Sequence, residues 1–460
     1  MTVLLQALLL KVLLFQIVAS RSIINTLPGF PGELPFKLET GYVGVGDSDD
    51  VQLFYYFIES EGAPEYDPLV LWLSGGPGCS GFTALVYENI GPLSFDYADS
   101  IDSKPILKLN PHSWTKVANI IFIDAPVGTG FSYAKSWEEY PNLSDTISAA
   151  QTYQFLKKWL VDHSRFLSNP LYIGGDSYSG IVLPIIVQEI SDGNEDGLEP
   201  PMNLQGYVLG NPVTDEDRDG NFKVLFAYLK ALIPHGLYQS TKRNCQGEYV
   251  NVDPNNTLCL YDLELVNQCI QDLNAQQILE PKCNPPSFFS SNKDPIDLLL
   301  PSSQVSRPWC RAYNYISSFI WANDKTVQSA LHVAEGSIKV WVRCNQSLGD
   351  SYVFDVSSSV GYHRNFTTKG YRVLIYSGDL DMEIPYVATS TWIESLNLTV
   401  ENSWKPWFVN AQIAGYRVQY TSGNYELTYA TIKGAGHTAP EYKPEEGLAM
   451  ISRWFAYYPL

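Results

Sequence analysis

Three residues that together can turn a hydroxyl into a nucleophile each follow a short apolar run. Ser177 follows LYIGGD, Asp379 follows VLIYSG and His437 follows TIKGAG. A serine hydroxyl attacks a carbonyl only when a base takes its proton, and an imidazole serves as that base when a carboxylate orients it. Asp381 stands two residues beyond Asp379 and is the rival for the orienting position. A lone serine there would read as a helix N-cap and a lone aspartate as a turn cap. The combination favours the triad. The other histidines, His112, His163, His235, His332 and His363, lack a comparable setting.

The surroundings of Ser177 suit a sharp strand-to-helix turn. Such a turn needs small neighbours, and Gly175, Ser179 and Gly180 supply them. Ser179 occupies the place of the second glycine in G-x-S-x-G, which keeps the small size. The run Gly75-Gly76-Pro77-Gly78 must be a turn, and its backbone N–H groups can face a developing oxyanion. Gly76 and Tyr178, the residue after the nucleophile, are the two expected donors.

These residues need a scaffold that gathers strand ends. VQLFYYFI (51–58), LVLWL (69–73), VANIIFI (117–123), QGYVLGN (205–211), YRVLIY (371–376) and TYATI (428–432) read as strands. Residues 144–162 read as a helix capped by Ser144, and IVLPIIVQEI as a helix that Pro184 should kink or shorten. Short apolar strands alternating with helices predict a mostly parallel sheet covered on both faces. Polar residues at the C-terminal ends of such strands form sites, and the chain order Ser, Asp, His is that of α/β-hydrolases. The stretch from about 215 to 320 breaks the rhythm and holds five of the seven cysteines; it reads as an inserted, disulfide-stapled lid.

The first 20 residues, apolar apart from Gln6, Lys11, Gln16 and small residues, read as a signal peptide, leaving one catalytic domain over 21–460. N-x-S/T sequons at Asn142, Asn255, Asn345, Asn365 and Asn397 agree with export, to a secreted or vacuolar destination. The formal charge of −19 leaves no basic footprint for nucleic acid or anionic lipid, and no membrane contact is expected once the leader is cleaved. No C-x-x-C pair points to a metal, and neither a metal nor a cofactor is expected.

Together WLSGGPGCSG, GGDSYSG, YSGDLD and GAGHTAP resemble the serine carboxypeptidase family, from about residue 28 to the C-terminus. The resemblance implies an α/β-hydrolase fold, with Ser177, Asp379 and His437 as triad and Gly76 and Tyr178 as oxyanion hole. It implies the disulfides Cys79–Cys344, Cys245–Cys259 and Cys283–Cys310, with Cys269 free, and it places substrate at Ser74, Gly75, Glu88 and Asp176. Peptidases of the family grip a substrate α-carboxylate with an asparagine before the Gly-Gly and a glutamate before the nucleophile. Here those positions hold Ser74 and Asp176, while Glu88 keeps the second acid. That pair is similar to the plant acyltransferase branch, which moves an acyl group from a 1-O-β-glucose ester to an alcohol through an acyl-serine. YVLGNPVTD and WANDKTVQSALHV look like that branch too. Acyl transfer is therefore the expected activity, with a small-molecule acyl glucose and an alcohol as partners; the alternative is removal of C-terminal residues from peptides.

Overall fold

The computed structural model describes residues 21–46, 48–96, 105–136, 143–283 and 310–460. The leader over 1–20, Asn142 and the central part of the expected insertion lie outside the described residues. Strands in chain order are β1 (Arg21–Ile24), β2 (Leu38–Val45), β3 (Val51–Ile58), β4 (Leu69–Leu73), β5 (Leu93–Asp96), β6 (Ile106–Leu109) and β7 (Asn119–Ile123). There follow β8 (Tyr133–Ala134), β9 (Leu171–Asp176), β10 (Leu204–Gly210), β11 (Arg372–Gly378), β12 (Thr399–Val409), β13 (Gln412–Ser422) and β14 (Tyr425–Ile432).

The main sheet runs β1-β2-β3-β7-β4-β9-β10-β11-β14-β13-β12, with β8 beside β3, and β5 pairs with β6 separately. From β7 through β14 every pairing is parallel, while the pairs on both flanks are antiparallel. This is an α/β-hydrolase-like sheet.

Period-two alternation divides its side chains between two apolar layers. On β3, Leu53, Tyr55 and Phe57 join the layer under the helices Asp145–Asp162 and Ser179–Glu195. Phe54, Tyr56 and Ile58 join the opposite layer, with Trp72, Trp114 and Trp454 of the helix Pro444–Phe455. Both faces of the central strands are buried, which is why their sequences are continuously apolar rather than alternating.

Ser144 caps the first of these helices by accepting from Ile147 N. The second runs over Ser179–Glu195 with Pro184 inside, so the helix is not shortened at the proline as the sequence allowed. Proline leaves the carbonyl four residues earlier without its helical donor. Here Ser359 Oγ donates to that carbonyl, Gly180 O, at 2.7 Å, so the missing bond is replaced from outside. Beyond β10, four helices (Glu216–Asn221, Lys223–Leu229, His235–Cys245 and Thr257–Ile270) interrupt the sheet pattern. No helix among the described residues is long and apolar enough to cross a membrane.

Candidate active site

Strand β9 ends at Asp176 and a helix begins at Ser179, so Ser177 sits on the turn between them. Its φ is +54°, a left-handed backbone that costs a serine energy and persists only when neighbours enforce it. They do so: Ser177 N donates to Gly210 O at 2.9 Å, and Ser177 O accepts from Val213 N at 2.9 Å and Gly180 N at 3.0 Å. Close packing explains the small residues. A Cβ on Gly75 would lie 2.6 Å from Ser177 Cβ, and one on Gly175 would lie 2.3 Å from Ser179 Oγ. Ser179 spends its hydroxyl on Asp176 O at 2.6 Å, which accommodates a serine where a second glycine is usual.

His437, in the loop after β14, brings Nε2 to 2.8 Å from Ser177 Oγ. Its Nδ1 donates to Asp381 Oδ2 at 2.8 Å, leaving the Nε2 lone pair for the serine proton. Asp381 is fully buried, and its other oxygen accepts from Glu383 N at 2.8 Å and Ile384 N at 3.2 Å. Burial pulls the imidazole pKa down. The Asp381 carboxylate, with Asp176 and Glu383 behind it, more than offsets this and lifts it to about 9. The imidazolium formed on proton transfer is thereby favoured.

The expected orienting residue, Asp379, must be corrected to Asp381. Asp379 comes directly after β11, and its Oδ1 accepts from Gly434 N at 2.6 Å while Lys230 Nζ lies 3.9 Å from Oδ2. It braces the turn that leads to His437. The chain needs two further residues before a side chain reaches the imidazole.

A backbone strap supports both loops, and the sequence carried no signal for it because carbonyls form it. Ala275 O accepts from Met382 N at 2.8 Å and Glu383 N at 3.0 Å, and Gln276 O accepts from His437 N at 2.8 Å. Gln277 Nε2 adds a bond to Gly434 O at 3.2 Å. Residues 274–278 thus tie the region after the four helices to the loops of Asp381 and His437.

Beside Ser177 lies a buried polar group set. Gly75 N donates to Asp176 Oδ1 at 3.1 Å, and Ser74, Asp176 and Glu88 are all buried. Ser74 Oγ and Glu88 Oε2 have no partner among the described residues. Burial holds the Asp176 carboxyl above its usual range, and burial followed by the charges of Asp176 and Glu441 holds that of Glu88 well above it. Gly76 has φ +121°, and a Cβ there would lie 2.8 Å from Gly78 N. Tyr178 Oη donates to Asp145 Oδ1 at 2.8 Å, which fixes the residue that follows Ser177.

The structure contains the disulfides Cys79–Cys344, Cys245–Cys259 and Cys283–Cys310, with Cys269 free and exposed. The first fastens the glycine-rich loop, where Asn345 N also donates to Gly78 O at 2.9 Å. Asn255, Asn365 and Asn397 are exposed. Asn345 instead donates from its amide to Gly128 O at 2.9 Å, so a glycan there would leave that nitrogen one N–H for this bond.

Comparison with known proteins gives a consistent result. The serine carboxypeptidase family model matches residues 28–457. Serine carboxypeptidase-like 1 of Arabidopsis thaliana is 48% identical over 97% of this chain and 95% of its own length. Serine carboxypeptidase-like 17 of the same plant is 48% identical over 98% and 97%. The crystal structure of Kex1(Δ)p, a prohormone-processing carboxypeptidase from Saccharomyces cerevisiae, superposes with a TM-score of 0.73. At 19% identity over 94% of each chain, that likeness bears on the fold.

Proposed function

Because the chain belongs to the serine carboxypeptidase family, we propose that its Ser177, His437 and Asp381 transfer an acyl group from a 1-O-β-glucose ester to an alcohol. Ser177 Oγ attacks the ester carbonyl while His437 Nε2 takes its proton. The N–H groups of Gly76 and Tyr178 stabilise the charge on the carbonyl oxygen. The bond to glucose then breaks, and the sugar oxygen leaves with the proton from His437. An alcohol enters, gives its proton to His437 and takes the acyl group, and Ser177 recovers its proton.

The observation that carries this reading is the buried polar set beside Ser177: Ser74 Oγ and Glu88 Oε2, which have no partner among the described residues, and the Asp176 carboxyl, held by Gly75 N. Two carboxyl groups offer acceptors and donors to a neutral polyol, and once ionised they repel a substrate carboxylate. The asparagine and longer glutamate that would reach such a carboxylate in the peptidases are replaced by shorter side chains. Carboxypeptidase action stays as the second reading, since Glu88 is retained and the raised pKa values favour protonated carboxyls that can donate. Export through the secretory pathway, to a secreted or vacuolar site, is part of the same proposal and fits the three disulfides.

The test is the double substitution Ser74→Asn with Asp176→Glu. It should raise kcat/KM on a blocked dipeptide by about 10- to 100-fold, as one hydrogen bond to a charge contributes, and lower it on a phenolic glucose ester. A double variant that gains on neither substrate and keeps full ester activity would overturn the assignment of this pocket.

A further inference from the structure

We propose that Asn211 is a positioning residue of the active site, holding Asp381 in the orientation that makes His437 a base; this rests on the triad reading above. Asn211 follows β10 and is fully buried. Its Nδ2 donates to Asp381 Oδ2 at 2.8 Å, the same oxygen that accepts from His437 Nδ1. Its Oδ1 accepts from Gly378 N at 3.1 Å, and its backbone N donates to Tyr376 O at 2.7 Å. The preceding carbonyl, Gly210 O, accepts from Ser177 N. One residue therefore links the turn of the nucleophile to the strand end that carries the acid.

The backbone of Asn211 has φ +42°, a conformation that asparagine tolerates better than most residues. Side-chain chemistry supplies the remaining requirement. Two donors converge on Asp381 Oδ2 and two on Oδ1, so the carboxylate cannot rotate without breaking several charge-assisted bonds. Removing the Asn211 donor frees one side of the oxygen on which the imidazole depends. Asp381 would then hold His437 less firmly during proton transfer, while the substrate pocket at Ser74, Glu88 and Asp176 would be unchanged.

Two variants separate this role from a merely structural one. Asn211→Gly keeps the backbone conformation and deletes the side chain. Asn211→Asp keeps the shape but can donate only when its carboxyl is protonated; ionised, it opposes Asp381. His437 is paired with Asp381 and also feels the charges of Asp176 and Glu383, and the Tyr442 phenol feels the charge of Asp381.

The full-length protein is treated with a fluorophosphonate, which needs no knowledge of the substrate. Ser177 Oγ attacks phosphorus, fluoride leaves, and the serine proton passes to His437. Asn211→Gly should slow labelling about 10- to 100-fold, the weight of one hydrogen bond to a charge. The labelling rate of Asn211→Asp relative to wild type should fall steadily from mildly acidic to mildly alkaline pH. Wild-type labelling by Asn211→Gly, or a pH-independent ratio for Asn211→Asp, overturns the proposal. If Asn211→Gly does not fold, the pH trend of Asn211→Asp decides alone. Ser177→Ala is the control: labelling of that variant at the wild-type rate would sink the triad reading itself, a result distinct from a null effect at Asn211.

Discussion

Replacing Asp381 by asparagine should disable the enzyme far more than the same change at Asp379, and the structure explains why. Asp381 Oδ1 sits against Glu383 N and Ile384 N. The new amide must present its carbonyl oxygen to those two donors, because its NH₂ group would clash with them. That turns the NH₂ toward His437 Nδ1 and Asn211 Nδ2. An amide donor facing Nδ1 selects the imidazole tautomer with its proton on Nε2, where it cannot accept the serine proton. In a triad, loss of the correct tautomer costs on the order of 10⁴-fold in kcat, or about 5 kcal/mol. At position 379 the amide oxygen can still accept from Gly434 N, and the charge lost is paired only at 3.9 Å with Lys230. Such a partly exposed pair contributes about 1 kcal/mol or less, so Asp379→Asn should retain a tenth or more of the activity. The assay is the rate of fluorophosphonate labelling, followed by ester turnover, for both variants beside wild type. Equal losses, or a larger loss at Asp379, would refute the reasoning.

Other outcomes follow from the same geometry. Gly75→Ala should cost at least about 100-fold in activity, since its Cβ would meet Ser177 Cβ at 2.6 Å and a 1 Å displacement of reacting groups has that effect; labelling kinetics and a thermal melt separate the site from the fold. Any dipeptide cleavage should decline as pH rises from acid toward neutral, because Asp176 and Glu88, held above the usual carboxylate range, change from donors to anions that repel an α-carboxylate. Consumption of a neutral glucose ester should not follow that decline, and parallel pH profiles of the two substrates check this. Mass analysis without reduction should find six cysteines paired and Cys269 alkylatable.

Much of the scaffold was legible because burial on both faces leaves a simple mark. The runs at 51–58 and 69–73 are observed as β3 and β4 with those same bounds. Ser177 and His437 stood out because a nucleophile turn and a strand-end histidine each need particular neighbours. The sequence pointed to Asp379 as the orienting carboxylate, with Asp381 as its rival, and the structure reverses that order. The strand-end rule pointed to the nearer residue, but the loop carries the acting carboxylate farther. The hairpin of β12 and β13 left little trace, because β12 is largely exposed and has no continuous apolar face. That Pro184 does not shorten its helix was hidden for a related reason: the compensating hydroxyl of Ser359 is 175 residues away in sequence and has no local signature. Residues 274–278 support the catalytic loops through carbonyls that any amino acid would provide.

The central claim, that this site transfers acyl groups, meets its most direct test in the wild-type protein. Purified enzyme is offered a phenolic 1-O-β-glucose ester with an alcohol acceptor and, in parallel, a blocked dipeptide, and kcat/KM is measured for each. The account predicts that the glucose ester is consumed with formation of a new ester and that the dipeptide is a poor substrate. Efficient cleavage of the dipeptide with no consumption of the glucose ester would contradict it and leave carboxypeptidase as the activity.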